Sequence, residues 1–289
     1  MTNNSPLPDE NTYVFDAESV SETTRLMIQD RQMTRGMGGP FSEREQGDFG
    51  RMHDILDIAC GSGGWVLDVA HEHPHIQVEG IDTSRMLIEY ARASARSQKL
   101  SNAHFTIMNA LQPLEFPDDA FDVVNARMLF AVVPPDQWSP LLQECLRITR
   151  PGGTIRLTEW EIPLTNSAAY EQISRLFATS MYRMGRSFSP DGYHIGIIPM
   201  LGPLLRTLGC DDVQSKAHVF DFSFGTNNYA DAYQNAKLIY IQAKPMMTQG
   251  GLISEEDYDI LYNRMLAEVC QPEFSGTSFL CTAWGKKPV

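Results

Sequence analysis

The stretch ILDIACGSGG, residues 55–64, decides the fold of this chain. An apolar run carries one acid, Asp57, and gives way to three glycines within residues 61–64. This change is typical of a buried strand that turns into a helix, where glycines let the backbone come close to a ligand. In an open parallel sheet, such a loop faces the crevice beyond the carboxyl ends of the strands, where ligands bind. The stretch therefore predicts a ligand-binding loop after the first strand.

Short apolar runs and helical segments alternate along the first half of the chain. Strands that alternate with helices in this way are typical of a parallel sheet with helices on both faces. Two further runs, at residues 211–224 and 274–287, predict closing strands. We therefore predict an α/β, Rossmann-like doubly wound fold, with a mostly parallel seven-stranded sheet, helical lid insertions and an N-terminal helix over residues 18–35. The runs that predict the first strands are HDILDIA, IQVEGID, AHFTIMNA, FDVVNARMLF and TIRLTEW.

The same alternation sets the expected division of the chain. Residues 1–50 are expected to form an N-terminal tail, disordered over its first dozen residues because they are rich in Asn, Pro and Asp, and a covering helix. Residues 51–289 are expected to form the core. Helical segments at about 166–208 and 227–272 depart from the core rhythm and predict a lid, with a helix over 195–208 that Pro199 interrupts early.

Composition limits the classes of partner. The chain has 289 residues and a formal net charge of −13, and an acidic surface repels nucleic acid and anionic membranes. No apolar run approaches the roughly 20 residues of a membrane span. The five cysteines are scattered without a CxxC pair, which indicates reduced thiols and no metal site. Because the N-terminus lacks a signal-peptide pattern, we expect a cytoplasmic location.

A second acid narrows the class of ligand. The second predicted strand ends in Asp82, roughly 20 residues after Gly61, a spacing that suits a ribose diol. The glycine loop and this acid together predict a ligand that carries a nucleoside. The loop fits neither of two common nucleotide motifs, because Val66 stands where a dinucleotide fingerprint needs a third glycine and the Gly-Lys-Ser/Thr ending of a P-loop is absent.

What the loop resembles is motif I of the class I S-adenosylmethionine-dependent methyltransferases, here DIACGSG. The resemblance continues through VEGIDTS, NALQPLEFPDDAFDVV and LLQECLRITRPGGTIRLTE, over about residues 54–159 and in the order of the family. The chain is most similar to the small-molecule branch that includes ubiquinone/menaquinone and sterol methyltransferases. The resemblance implies S-adenosylmethionine as cofactor and S-adenosylhomocysteine as product.

The resemblance also implies a role for each matching position. The family often has Asp where this chain has Asn109, but an amide oxygen still accepts a hydrogen bond from the adenine amine. Two local alternatives stay open: Asp57 supports the glycine loop, or Asp82 caps the next helix. The implied set is Asp57, Ala59, Gly61 and Gly63 at the methionine moiety, Asp82 at the ribose, Thr83 and Met86 near the adenosine, Asn109, Ala110 and Leu111 around adenine, Ala126 and Arg127 beside the methionine end, and Tyr13 with its following helix over the cofactor.

Methyl transfer to a hydroxyl or an acidic carbon needs a base, whereas a thiol or an amine of suitable pKa does not. Glu159 and Glu161 flank Trp160 at the end of the fifth predicted strand, so both point to one face. Tyr193 and His194 lie in a Gly/Pro-rich turn of the predicted lid. These four residues are the candidate catalytic groups, although either glutamate alone would also suit a solvated position and a lone histidine a structural one.

Methionines and tyrosines are frequent in the predicted lid, which suits a roomy apolar pocket with a few polar handles. We expect methyl transfer to an O or C atom of a mostly apolar or aromatic small molecule, such as a natural-product intermediate or a quinone-like phenol. The alternatives are a protein or tRNA methyltransferase, a cofactor-binding homologue that regulates or catalyses a rearrangement without methylation, and an NAD(P) oxidoreductase. A homodimer through the N-terminal helix is one expected assembly.

Overall fold

The computed structural model describes residues 13–16, 18–44 and 46–289. The expected disorder of the first dozen residues lies outside the described residues. The expected division into residues 1–50 and 51–289 and the expected homodimer both stay predictions. Within the described part of the chain, no helix is long and apolar enough to cross a membrane.

A seven-stranded sheet in the order β3-β2-β1-β4-β5-β7-β6 forms the centre of the fold. β1 to β5 pair in parallel, and β7 runs antiparallel to both β5 and β6. The predicted doubly wound, mostly parallel sheet is therefore confirmed. The strands are β1 Asp54–Ile58, β2 Gln77–Asp82, β3 Ala103–Ile107, β4 Phe121–Arg127, β5 Thr149–Thr165, β6 Asp211–Asp221 and β7 Gly276–Lys286.

Side-chain caps set where several of the helices begin. Ser19 Oγ accepts a hydrogen bond from the Glu22 amide at the start of α1, and Ser84 Oγ accepts from the Leu87 amide at the start of α3, as its sequence position predicts. The helices are α1 Val20–Met37, α2 Gly64–Glu72, α3 Arg85–Gln98, α4 Trp138–Ile148, α5 Ala168–Arg183, α6 Leu201–Thr207, α7 Tyr229–Thr248 and α8 Glu255–Val269.

The prediction of one helix over 195–208 was wrong at its start. Gly196 has φ 76°, outside the helical region, and the amides of Ile195 and Gly196 donate to the Glu161 carboxylate and not to a preceding turn. A short 3₁₀ turn at 198–200 and α6 follow. The segment is therefore a loop tied to β5 that leads into a shorter helix.

The core lies on both faces of the sheet, as a parallel sheet requires. Ile55 and Leu56 are adjacent in β1 and fully buried, and alternation sends them to opposite faces. Ile55 packs in the cluster that contains Trp65 of α2, whereas Leu56 packs in the cluster that contains the lid helices. The lid thus shares its core with one face of the sheet.

Candidate active site

The glycine loop leaves β1 in a left-handed backbone conformation, which glycine adopts more readily than other residues do. Ala59, Gly61 and Gly63 all have positive φ, at 52°, 56° and 78°. A Cβ at Gly63 would lie 2.5 Å from the Phe105 ring, so glycine is required there for space as well as for conformation. The first turn of α2 follows the loop at the same edge of the sheet, and its backbone amides lack partners within the helix.

Asp82 ties the glycine loop to the end of β2. Its Oδ2 accepts from the Gly61 amide at 2.9 Å, and its Oδ1 accepts from the Ser84 amide at 2.9 Å. Burial raises the pKa of its carboxyl above the ordinary value. The hydrogen bond to Ser84 supports the helix-capping interpretation. The position of the same carboxylate in the cavity wall supports the ligand-binding interpretation.

Asp57 lies beneath the loop rather than in it. The side chain is 2% exposed, and its Oδ1 accepts from Asn125 Nδ2 at 2.7 Å. Arg156 donates to the Asn125 oxygen at 2.7 Å and is itself paired with Glu43 at 2.6 Å. Burial raises the pKa of Asp57 to about 7. The hydrogen bond of Asp57 is therefore made to the neighbouring strand β4, and both interpretations of this residue stay predictions.

One cavity runs across the carboxyl ends of the strands. It reaches from Asp82 on β2 to Trp160 on β5, which are three strand positions apart, or about 14 Å. Of the residues expected to bind the cofactor, those that line this cavity are Tyr13, Ala59, Gly61, Asp82, Thr83, Asn109, Ala110, Leu111 and Arg127. Asp57, Gly63, Met86 and Ala126 do not line it. The individual cofactor roles stay predictions.

Aromatic and apolar side chains form the end of the cavity over β5, β6 and β7. Phe130 and Trp160 are stacked with 6.2 Å between ring centres, and Trp160 donates to Ser278 at 3.2 Å. Phe220 on β6 and Phe222 just after it also line the cavity. Phe220 and Phe222 stand two positions apart in the sequence, and residues two apart on an extended chain share a face. Their spacing is therefore a sequence signal for an aromatic surface.

The N-terminal helix α1 forms one wall of the cavity through a buried polar network. Arg25 donates to both Glu22 carboxylate oxygens, at 2.8 Å and 2.6 Å, and to the Tyr13 hydroxyl at 3.0 Å. Arg25 also reaches Asn235 of α7 at 3.3 Å, and Tyr13 donates to Glu22. Burial raises the pKa of the Tyr13 phenol well above its ordinary value. Sequence reasoning placed Tyr13 over the cofactor but did not find Glu22, Arg25 or Asn235.

The two candidate catalytic glutamates hold backbone amides. Glu159 is 1% exposed, and its Oε1 accepts from the Leu129 amide at 2.7 Å, so it fixes the turn after β4. Burial raises the pKa of Glu159 to about 8. Glu161 accepts from the Ile195 and Gly196 amides, both at 2.8 Å. Neither glutamate lines the cavity.

The other two candidates, Tyr193 and His194, lie at the surface. Tyr193 is 57% exposed, and His194 is exposed beside it. Neither lines the cavity, so the four candidate catalytic residues are not brought together with the expected cofactor residues. Among the described residues that do line the cavity, Asp82 is the only carboxylate, and none is a histidine, lysine or cysteine.

Residues 55–153 match the methyltransferase domain family. This match places a methyltransferase domain on the first strands of the sheet, and the chain is similar to the class I S-adenosylmethionine-dependent methyltransferases. A demethylmenaquinone methyltransferase of Lactococcus lactis subsp. lactis (strain IL1403) is 31% identical over 137 residues, or 47% of this chain and 52% of that protein. A ubiquinone/menaquinone biosynthesis C-methyltransferase of Geobacter sulfurreducens is 26% identical over 156 residues, or 54% of this chain and 53% of that protein. The chain thus spans about half the length of these curated relatives.

A solved structure of the same fold covers nearly the whole chain. Phosphoethanolamine N-methyltransferase 2 of Haemonchus contortus, in complex with phosphomonomethylethanolamine and S-adenosylhomocysteine, aligns with a TM-score of 0.50 and 18% identity. The alignment covers 96% of this chain and 61% of that chain. At this identity the likeness shows the fold alone.

Proposed function

We propose that this chain transfers a methyl group from S-adenosylmethionine to an oxygen or carbon atom of a mostly apolar, aromatic small molecule. The observation that carries the proposal is one continuous cavity with two chemically different ends. A carboxylate and a main-chain loop line one end, around Asp82 and Asn109, and stacked aromatic rings line the other, around Phe130 and Trp160.

The polar end fits the nucleoside of this cofactor. Asp82 would hold the ribose hydroxyls with the carboxylate that already fixes Gly61, and the segment at Asn109 would frame the adenine. The Asn109 oxygen accepts from the Leu111 amide at 2.9 Å, which sets the shape of that segment. When bound, the cofactor supplies a methyl group that its sulfonium has already activated.

The chain's own residues would then bind, orient and exclude water. Trp160, Phe220 and Phe222 offer flat apolar surfaces to an aromatic acceptor, and α1 covers the cavity from the opposite side. Holding an acceptor in line with a reactive group and keeping water away are the main contributions that such a site makes to the rate.

The scarcity of bases in the cavity favours acceptors that ionise easily. Asp82 is the sole carboxylate among the described lining residues, and it is already engaged by two backbone amides. Phenols and quinols lose a proton more readily than aliphatic alcohols do, so they need less help from a side chain. The relatives named for demethylmenaquinone and for ubiquinone/menaquinone biosynthesis support the same class of acceptor.

The proposal is tested by turnover with a chosen set of acceptors. Purified protein is incubated with S-adenosylmethionine and, separately, with a naphthohydroquinone, a catechol and an aliphatic alcohol. We expect a methylated product and an equal amount of S-adenosylhomocysteine with an aromatic acceptor only. S-adenosylhomocysteine binding without product from any aromatic acceptor would contradict the proposal and favour a homologue that does not methylate.

A further inference from the structure

Three carboxamide side chains line the cavity from the two helices that cover it. Gln29 and Gln32 stand three positions apart on α1, so they share one face of this helix, and Asn235 belongs to α7. All three residues line the cavity. Gln32 is only 7% exposed, and the other two are half-buried. Amide groups from two separate elements are therefore brought to one wall of a largely apolar space.

This wall lies beside the aromatic end of the cavity. Gln29 Nε2 is 3.9 Å from the sulfur of Met33, one turn further along α1. Met33 packs in one cluster with Phe220, and Trp160 packs against the same cluster. An aromatic acceptor that lies against these rings would therefore have its edge within reach of the amides.

Arg25 fixes the orientation of two of the three amides. Its Nη1 donates to the Gln29 oxygen and, at 3.3 Å, to the Asn235 oxygen. Its Nε and Nη2 donate to Glu22 and Tyr13, so all the donors of this guanidinium are occupied within the protein. Because a guanidinium has no acceptor, the amide oxygens must face it, and the amide nitrogens are turned away from it.

The amide nitrogens are donors that the protein leaves largely unused. Gln29 Nε2 contacts only the Met33 sulfur, which is a weak acceptor. Over the part of the chain that the structure describes, the Asn235 nitrogen and the Gln32 carboxamide have no hydrogen-bond partner. Because a buried N–H without a partner is costly, a ligand that brings an oxygen to this wall gains hydrogen bonds that the protein alone does not make.

The charges around the wall favour a negatively charged oxygen. The buried carboxylate nearest in the network, Glu22, is paired with Arg25 at 2.6 Å. Asp82 is the only carboxylate among the described lining residues, and it lies at the opposite end of the cavity, beside the glycine loop. Hydrogen bonds to an ionised acceptor are about twice as strong as those between neutral groups. Preformed amide donors of this kind stabilise an anion without having to reorganise.

We propose that Gln29, Gln32 and Asn235 bind an ionised oxygen of the acceptor, either a phenolate or an enolate. The inference rests on the proposed function for the reaction and names the acceptor class more narrowly. The acceptor gives its proton to the solvent on binding. Its oxygen or the conjugated carbon then forms the bond to the methyl group, while the sulfur–methyl bond of the cofactor breaks. Donors that stabilise the anion would thus compensate for the scarcity of bases in the described cavity wall.

The test uses 4-nitrocatechol, an aromatic acceptor whose ionised form absorbs visible light. The probe is titrated with the protein in the presence of saturating S-adenosylhomocysteine, at a pH near the pKa of the free probe. The absorption spectrum then reports how much of the bound probe is ionised. For the wild type we expect binding of the ionised form and an increase in the ionised fraction, because hydrogen bonds to the charged form favour it.

Two variants remove donors in different ways. Gln32→Met removes an amide without adding charge, and Asn235→Asp keeps an acceptor for Arg25 while it removes the N–H donors. We expect each variant to weaken binding of the ionised probe about 10- to 100-fold and to leave the affinity for S-adenosylhomocysteine unchanged. The matched control is Gln234→Glu, which adds the same charge at the exposed neighbouring position of α7 and is expected to change neither affinity.

Each other outcome overturns the inference. Wild-type binding of the ionised probe by both variants would mean that the amides do not contact it. If Gln234→Glu weakens the probe as much as Asn235→Asp does, added charge alone explains the loss. Equal weakening of the probe and of S-adenosylhomocysteine would mean that the amides only shape the cavity. If all variants methylate the probe at the wild-type rate, the inference fails but the proposed function stands. If the wild type binds no S-adenosylhomocysteine, the proposed function fails as well.

Discussion

Replacing Glu22 by glutamine should loosen α1 from the rest of the protein. Glu22 is fully buried and Arg25 is 3% exposed, and the two are joined by two hydrogen bonds of 2.8 Å and 2.6 Å. The substitution keeps the size of the side chain but leaves the guanidinium charge buried and uncompensated. Removing one partner of a buried pair costs about 3–5 kcal/mol. Undocking of α1 would relieve that cost, since the helix can separate locally while the sheet stays folded.

Hydrogen exchange measured along the chain is the appropriate assay. In Glu22→Gln we expect the amides of α1 to lose protection by up to about 3–5 kcal/mol, and the amides of β1 and β4 to keep theirs. Asp231→Asn is the matched control, because its ion pairs with the exposed Arg31 and Arg35 are each worth only about 0–1 kcal/mol. Unchanged protection of α1 in Glu22→Gln would refute the reasoning that this buried pair holds the wall of the cavity.

Two further substitutions test the loop and the buried acid. Gly63→Ala should lower the free energy of unfolding by about 1–3 kcal/mol, because the new Cβ meets the Phe105 ring at 2.5 Å; an unchanged urea midpoint would contradict this. Glu159 has its pKa raised from 4.5 to about 8, so between these values the folded state holds a proton that the unfolded chain has lost. Protonated Glu159 therefore makes its whole contribution to the free energy of unfolding below about pH 4, and this contribution is lost as the pH rises towards 8. Glu159→Gln keeps the uncharged form at all pH values, and its urea stability should fall less than that of the wild type between pH 5 and 8. If the urea stabilities of the two proteins change with pH in the same way, Glu159 does not contribute to stability through its proton.

The sequence was sufficient for the parts of the site that depend on local pattern. Strand periodicity located β1 and β2, and the spacing between Gly61 and Asp82 placed the loop and the acid side by side, where a 2.9 Å hydrogen bond now joins them. Both features arise within one βαβ unit, whose geometry is nearly fixed once the pattern is present.

The parts of the candidate site that could not be predicted from the sequence depend on contacts between distant segments of the chain. Arg25 meets Asn235 across 210 positions, and no local pattern marks two polar residues on separate helices as partners. Glu161 and His194 show a different limit, because their residue types suit catalysis but neither residue lines the cavity. The two Glu161 oxygens are occupied by amides of a loop 34 and 35 residues away, and His194 faces the solvent.

The most direct test of the central claim is a calorimetric titration of the protein with S-adenosylhomocysteine and, separately, with NAD, repeated on Asp82→Ala and on Asp82→Asn. We expect binding of S-adenosylhomocysteine but not of NAD. We also expect the affinity for S-adenosylhomocysteine to fall at least about tenfold in Asp82→Ala and less in Asp82→Asn, which keeps an acceptor for the Gly61 amide. Binding that is indifferent to Asp82, or a preference for NAD, would contradict the assignment of the glycine loop and this acid as the cofactor site.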